Sequence, residues 1–106
     1  MTSKKSAQQK RARLPRNSDR TRQFVKDWER LSHSGRFDLQ HLKQVMLLLI
    51  ANDHLLPAEY LDHELTGNWA GFRECHIGGD FLLIYDLRTA DTIIFTRAGT
   101  HADLFE

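Results

Sequence analysis

The sequence predicts an α+β domain in which two N-terminal helices pack on a small twisted antiparallel sheet, and three observations support this. Apolar residues recur at helical spacing twice before residue 52: Phe24, Val25, Trp28 and Leu31, then Leu39, Leu42, Val45, Met46, Leu49 and Ile50. From Gly71 onward the period becomes two. The last three apolar runs are joined by short connections, Gly78-Gly79 and Arg88-Thr89-Ala90-Asp91, which favour an antiparallel meander with the helices on one face. At 106 residues the chain can bury one modest core but not two.

Residues 1–10 lack any apolar period and read as a disordered basic tail, which leaves 11–106 as the folded domain. Residues 11–16 suit a short edge strand, because Pro15 has no N–H to give a ladder and belongs at an edge or strand end. Asn17, Ser18 and Asp19 are N-cap candidates for a first helix over about 19–33, closed by the Ser34-Gly35 break. Asp38 can cap a second helix that ends near Asn52. Leu47 and Leu48 widen its apolar stripe, so this helix is expected to lie sandwiched between the first helix and the sheet. Residues 53–70, with Pro57 and Gly67 and no period, read as a long loop carrying Asp62 and His63. Strands follow at 72–77, 81–87 and 92–97; the first puts Phe72, Glu74 and His76 on one face and Arg73, Cys75 and Ile77 on the other.

The composition removes several classes of function. No stretch approaches the roughly 20 apolar residues that cross a bilayer, so no membrane partner is expected. The N-terminus is basic and polar with no apolar stretch behind it, unlike a signal peptide, and the cytoplasm is the expected compartment. Cys75 stands alone, which rules out an internal disulfide and a thiolate-rich zinc site. The formal charge of +1 conceals an asymmetry: residues 1–22 carry eight basic groups against Asp19, a balance of +7, and the remaining residues carry seven basic and thirteen acidic groups, a balance of −6. A basic arm on an acidic body can reach phosphates; it can equally fold back on its own domain or simply keep the chain soluble.

Three histidines stand in chemical company. His63 follows Asp62, His76 precedes Gly78-Gly79-Asp80, and His101 follows Arg97. Imidazole changes charge near neutral pH without special tuning, so this set beside an aspartate and an arginine points to proton transfer at an anionic substrate. Arg97 ends the last strand on the Ile93 and Phe95 side of the alternation, and Gly99 lets the chain bend so that His101 returns near it. Taken singly, His76 is a half-exposed strand histidine, Asp80 a turn aspartate, and Arg97 one end of a salt bridge with Glu74 or Asp80. His33, His41 and His54 have no such company and are assigned to structure or surface.

Three ordered blocks carry a family resemblance: residues 60–77 (YLDHELTGNWAGFRECHI), 80–85 (DFLLIY) and 95–105 (FTRAGTHADLF). They resemble the YafQ-type branch of the RelE/ParE toxin superfamily over about residues 20–106, weakly through the helices and strongly from Asp62 onward. The resemblance implies the RelE-like fold and a toxin of a type II toxin–antitoxin pair. The implied activity is metal-independent endoribonuclease cleavage of mRNA in the ribosomal A site, without a cofactor. The implied partners are a cognate antitoxin, the ribosome and mRNA, with operator DNA reached only through the antitoxin.

Residue by residue, the implied catalytic set is His63, His76, Asp80, Arg97 and His101, with Arg73, Phe81 and Phe105 at substrate-binding positions. Phe81 stands where this family often has tryptophan, so no indole N–H is available there, and Gly78-Gly79 replaces a stiffer, more polar pair. RNA cleavage of this kind uses the neighbouring 2′-OH as nucleophile. On this reading Asp80 or His63 assists the base, His101 or His76 is the acid, and Arg97 holds the phosphoryl oxygens. A ParE-like gyrase inhibitor and an inactive antitoxin-binding module are the alternatives, and neither requires proton-transfer groups.

Overall fold

A computed structural model describes residues 13–106, and the expected tail at 1–10 lies outside the described residues. Helix α1 (Arg22–Ser34) and helix α2 (Leu39–Ala51) fall where the 3.6-residue period places them. Thr21, rather than Asn17, Ser18 or Asp19, caps α1, its hydroxyl accepting from the Phe24 N–H at 2.9 Å. Asp38 caps α2 through the His41 N–H at 3.0 Å. Gly35 closes α1 with φ +69°, a left-handed value that glycine adopts at little cost.

The polar run read as a cap is instead strand β1 (Asn17–Arg20), and it corrects the sheet. β1 pairs in parallel with the last strand, Asn17 opposite Thr92 and Arg20 opposite Phe95, so the sheet is mixed rather than antiparallel. An exposed edge strand needs no apolar alternation, which is why the sequence pattern does not reveal it. The expected edge strand at 11–16 falls partly outside the described residues, and 13–16 are irregular. From that segment the guanidinium groups of Arg16 and Arg13 donate to the Leu49 and Asn52 carbonyls, placing cations at the negative end of α2.

The remaining strands are β2 (His63–Glu64), β3 (Arg73–Gly78), β4 (Phe81–Asp86) and β5 (Thr92–Gly99), in the order β1-β5-β4-β3-β2. The expected loop at 53–70 therefore contains an edge strand, along with two short 3₁₀ turns at Ala58–Tyr60 and Gly67–Trp69. A short helix, α3 (His101–Phe105), follows β5 where only a bend is expected. Thr100 and Asp103 cap it reciprocally, so that two end N–H groups are satisfied at once.

Both helices lie against one face of the sheet, where Phe24, Leu31, Leu42, Val45 and Leu49 meet Cys75, Ile77, Phe81, Leu83, Tyr85, Ile93, Phe95 and Ala98. Leu47 and Leu48 remain 64% and 48% exposed, so α2 is covered on one side only and is not sandwiched. On the opposite face Leu82 and Ile84 are covered by Leu104 of α3, with Leu65, Trp69, Phe72 and Phe105 around it. Among the described residues no helix is long and apolar enough to cross a membrane.

Candidate active site

Strand register assembles the site on the face away from α1 and α2. His63 stands opposite Glu74, Glu74 opposite Ile84, and Ile84 opposite Arg97; in the next row His76 stands opposite Leu82 and Leu82 opposite Gly99. With neighbouring strands about 4.8 Å apart, β3 and β5 are separated by roughly 10 Å. Asp80 in the β3–β4 turn and His101 at the start of α3 both overhang the end of the sheet beyond the His76 row.

Glu74 joins two of the imidazoles. Its carboxylate Oε1 lies 3.5 Å from His63 Nε2 and 3.6 Å from His76 Nε2, and the residue is only 5% exposed. A buried carboxylate needs donors or a compensating charge, and two imidazoles with ring centres 6.4 Å apart can provide both. His63 Nδ1 lies 2.6 Å from the Leu61 carbonyl, which can only accept, so Nδ1 carries a proton, and Nε2 is the nitrogen that gains a proton to donate to Glu74 and loses it to act as a base. The sequence places Glu74 on the His76 face, yet its meeting with His63 depends on the two-residue strand β2, which leaves no pattern to read.

Asp80 and His101 meet through the backbone. Asp80 Oδ1 accepts from the His101 N–H at 3.0 Å, tying the β3–β4 turn to the first residue of α3. The His101 ring lies 4.8 Å from Phe105, which in turn lies 6.1 Å from Trp69, so Phe105 supports His101 on an aromatic base.

Arg97 occupies a different side from the one alternation predicts. The register slips by one residue between Phe95 and Arg97, so Phe95 and Ala98 both belong to the helix-side core, and Arg97 leaves the strand opposite Ile84 of the other face with its guanidinium reaching back to α1. Its partner is neither Glu74 nor Asp80 but Asp27 of α1, bonded to Arg97 Nε at 2.8 Å and Nη2 at 3.2 Å. Asp27 is 1% exposed and also accepts from the Ala98 N–H and from Arg30, which reaches on to Asp103. Burial pushes the Asp27 carboxyl upward, but the bonds from Arg97, Ala98 and Arg30 outweigh it and hold the group below the usual carboxylate range.

Two expected substrate-binding residues lie elsewhere. Phe81 is buried on the helix side with its ring 5.0 Å from Phe37, so it fills core. Arg73 also points to that side, where it pairs with Asp62 at 3.4 Å and Glu64 at 3.7 Å. The Cys75 thiol is buried in the same core, and burial raises its pKa so far that it stays protonated. Among the described residues no cluster of three or more His, Cys, Asp or Glu side chains is arranged to hold a metal. The His63 and His76 side chains are 49% and 32% exposed, so both imidazoles stand at the protein surface above the buried Glu74.

Fold and site together define a small α+β protein whose described residues display acid–base side chains on the open face of a five-stranded sheet. Residues 16–106 match the family model of the bacterial toxin of type II toxin–antitoxin system, YafQ. The chain belongs to the YafQ toxin family. It is 42% identical over 92 residues to the mRNA interferase toxin YafQ of Escherichia coli K12, covering 87% of this chain and 98% of that protein. The crystal structure of YafQ from E. coli strain BL21(DE3) superposes with a TM-score of 0.78 at 42% identity, covering 86% of this chain and 99% of that one. In the E. coli DinJ–YafQ complex the matching chain gives a TM-score of 0.76 at 43% identity, covering 86% and 99%.

Proposed function

We propose that this protein is an mRNA interferase with the RelE-like arrangement of helices and sheet, which cleaves mRNA on the ribosome and is restrained by a cognate antitoxin. The observation that carries the reading is the pairing of His63 and His76 on the Glu74 carboxylate, with Asp80 and His101 tied together at the same end of the same sheet face. Family membership and the E. coli relative's name support the substrate class.

The chemistry follows from these groups. A base at His63 Nε2 or Asp80 takes the proton of the 2′-OH, whose oxygen attacks the adjacent phosphorus. The bond from phosphorus to the 5′-oxygen then breaks, and His101 or His76 protonates the departing oxygen. Arg97 has already given two N–H groups to Asp27, which fixes its plane and leaves its outer N–H groups for the phosphoryl oxygens. No step in this sequence calls on a metal or cofactor. An open surface positions a flexible strand poorly on its own, and the ribosome, holding the message in a fixed path, supplies the missing orientation. Such a protein acts in the cytoplasm, where ribosomes are.

The exposed apolar side chains Leu14, Leu47, Leu48, Leu55 and Leu61 suit a protein partner, and the antitoxin is the partner proposed; operator DNA is reached only through it. Mapping of mRNA 5′ ends after induced expression tests the reading. Cuts phased to the reading frame and dependent on translation are expected. Supercoiling defects without such cuts would instead indicate a gyrase-type inhibitor, and an absence of both an inactive antitoxin-binding module.

A further inference from the structure

We propose that Asp62, gripped from behind the sheet by Tyr85 and Arg73, is a positioning residue that sets the tautomer and direction of the His63 imidazole. The proposal rests on the reading of His63 as a proton-transfer group in RNA cleavage.

Asp62 immediately precedes His63, the first residue of edge strand β2, and the partners of the two side chains lie on opposite sides of the sheet. His63 enters the open face beside Glu74, and Asp62 enters the helix side. There the hydroxyl of Tyr85, a residue 1% exposed in the central strand β4, donates to Asp62 Oδ1, and Arg73 Nη2 lies 3.4 Å from Oδ2. Arg73 and Tyr85 are themselves register partners, so both grips come from rigid, paired strands.

The segment needs such a grip. β2 meets β3 through only two residue pairs, too short a ladder to fix a strand end unaided. Leu61, just before Asp62, closes the Ala58–Tyr60 turn with its N–H bonded to the Ala58 carbonyl and adopts φ +50°, a left-handed conformation uncommon for leucine. That strained residue carries the carbonyl that accepts from His63 Nδ1 at 2.6 Å. If the Asp62 anchor is released, Leu61 can relax, its carbonyl rotates away, and the imidazole loses the bond that keeps its proton on Nδ1. Tyr85 remains a neutral donor throughout, since burial and the neighbouring Asp62 carboxylate raise its phenol pKa.

The experiment uses the full chain with Tyr85→Phe, Asp62→Asn and Asp62→Ala. Nitrogen-15 NMR reads the His63 and His76 tautomers, cleavage of mRNA on ribosomes is followed across pH, and thermal midpoints are recorded. Tyr85→Phe preserves ring packing and is expected to lower kcat about 10-fold with KM unchanged, as the His63 signal shifts toward the Nε2–H tautomer and His76 keeps its own. Asp62→Asn, whose amide oxygen still accepts from Tyr85, is expected to retain most of the wild-type tautomer and rate, whereas Asp62→Ala is expected to lose both. A wild-type His63 tautomer in Tyr85→Phe and Asp62→Ala would overturn the proposal, whether or not the thermal midpoint falls. The NMR arm does not depend on turnover: a tautomer shift in a protein that cuts no RNA would uphold the positioning and reject the nuclease.

Discussion

His63→Ala, His76→Ala and His101→Ala are each expected to slow RNA cleavage about 10²- to 10⁴-fold, the usual contribution of one positioned acid or base. Stability should move little, because His63 and His76 keep 49% and 32% of their side chains exposed and His101 is a surface residue at the start of a short helix. The losses should not add. Glu74 is buried and is faced by His63 and His76 together, so either single variant leaves it one imidazole, and the double variant leaves it none. The double variant alone is therefore expected to destabilise the domain measurably, through a bare carboxylate in a nearly dry position. Single-turnover rates on ribosome-bound message, paired with urea unfolding of each variant, check both halves of this expectation.

Asp27→Ala is expected to have the largest effect on the fold, about 3 kcal/mol of lost stability. Domains of this kind have only about 5–15 kcal/mol to lose. Asp27 compensates Arg97, satisfies the Ala98 N–H at the register slip, and bridges to Arg30, so its removal strands a guanidinium and an amide together. Activity should fall as well, since Arg97 loses the group that orients it. The pH dependence has a definite sign. The folded-state pKa of Asp27 is depressed, so its stabilisation is fully present above the unfolded carboxylate value, about 3.9, and is lost as pH falls through the lower folded value. Asp27→Asn should therefore flatten the acid limb of the stability curve while leaving its shape above pH 5 unchanged. Unfolding midpoints in urea between pH 2 and pH 7 measure this; an acid limb identical to wild type would remove Asp27 from its place at the centre of the network.

How much of this is legible in the sequence depends on whether a residue's position leaves a periodic trace. Helices α1 and α2 and strands β3 to β5 do, because each buries a face, and the Asp38 cap can be read for the same reason. β1 buries nothing and β2 is two residues long, so neither has a pattern, and with them go the parallel pairing and the His63–Glu74 meeting. The slip in β5 inverts the side of Arg97 although the strand itself is predicted. Motif spacing brings out the histidines, Asp80 and Phe105 as candidates; Glu74 is legible only as a facing residue. Asp27 leaves a fainter sign: a carboxylate three residues after Phe24 and four before Leu31, on the buried stripe of an amphipathic helix, must have a buried partner. Phe81 and Arg73 are suggested by motif position alone, and packing places both on the helix side of the sheet.

The most direct measurement is the chemistry of the cut ends, with purified protein, ribosomes programmed with a defined message, and a chelator chosen to spare ribosome integrity while removing transition metals. Attack by the 2′-OH with proton transfer by the histidine set predicts 2′,3′-cyclic phosphate (or its 3′-phosphate product) on one fragment and 5′-hydroxyl on the other, unchanged by the chelator and formed about 10²- to 10⁴-fold more slowly with His63→Ala or His101→Ala. Ends bearing 5′-phosphate and 3′-hydroxyl, or cutting that persists undiminished in those variants, would contradict it.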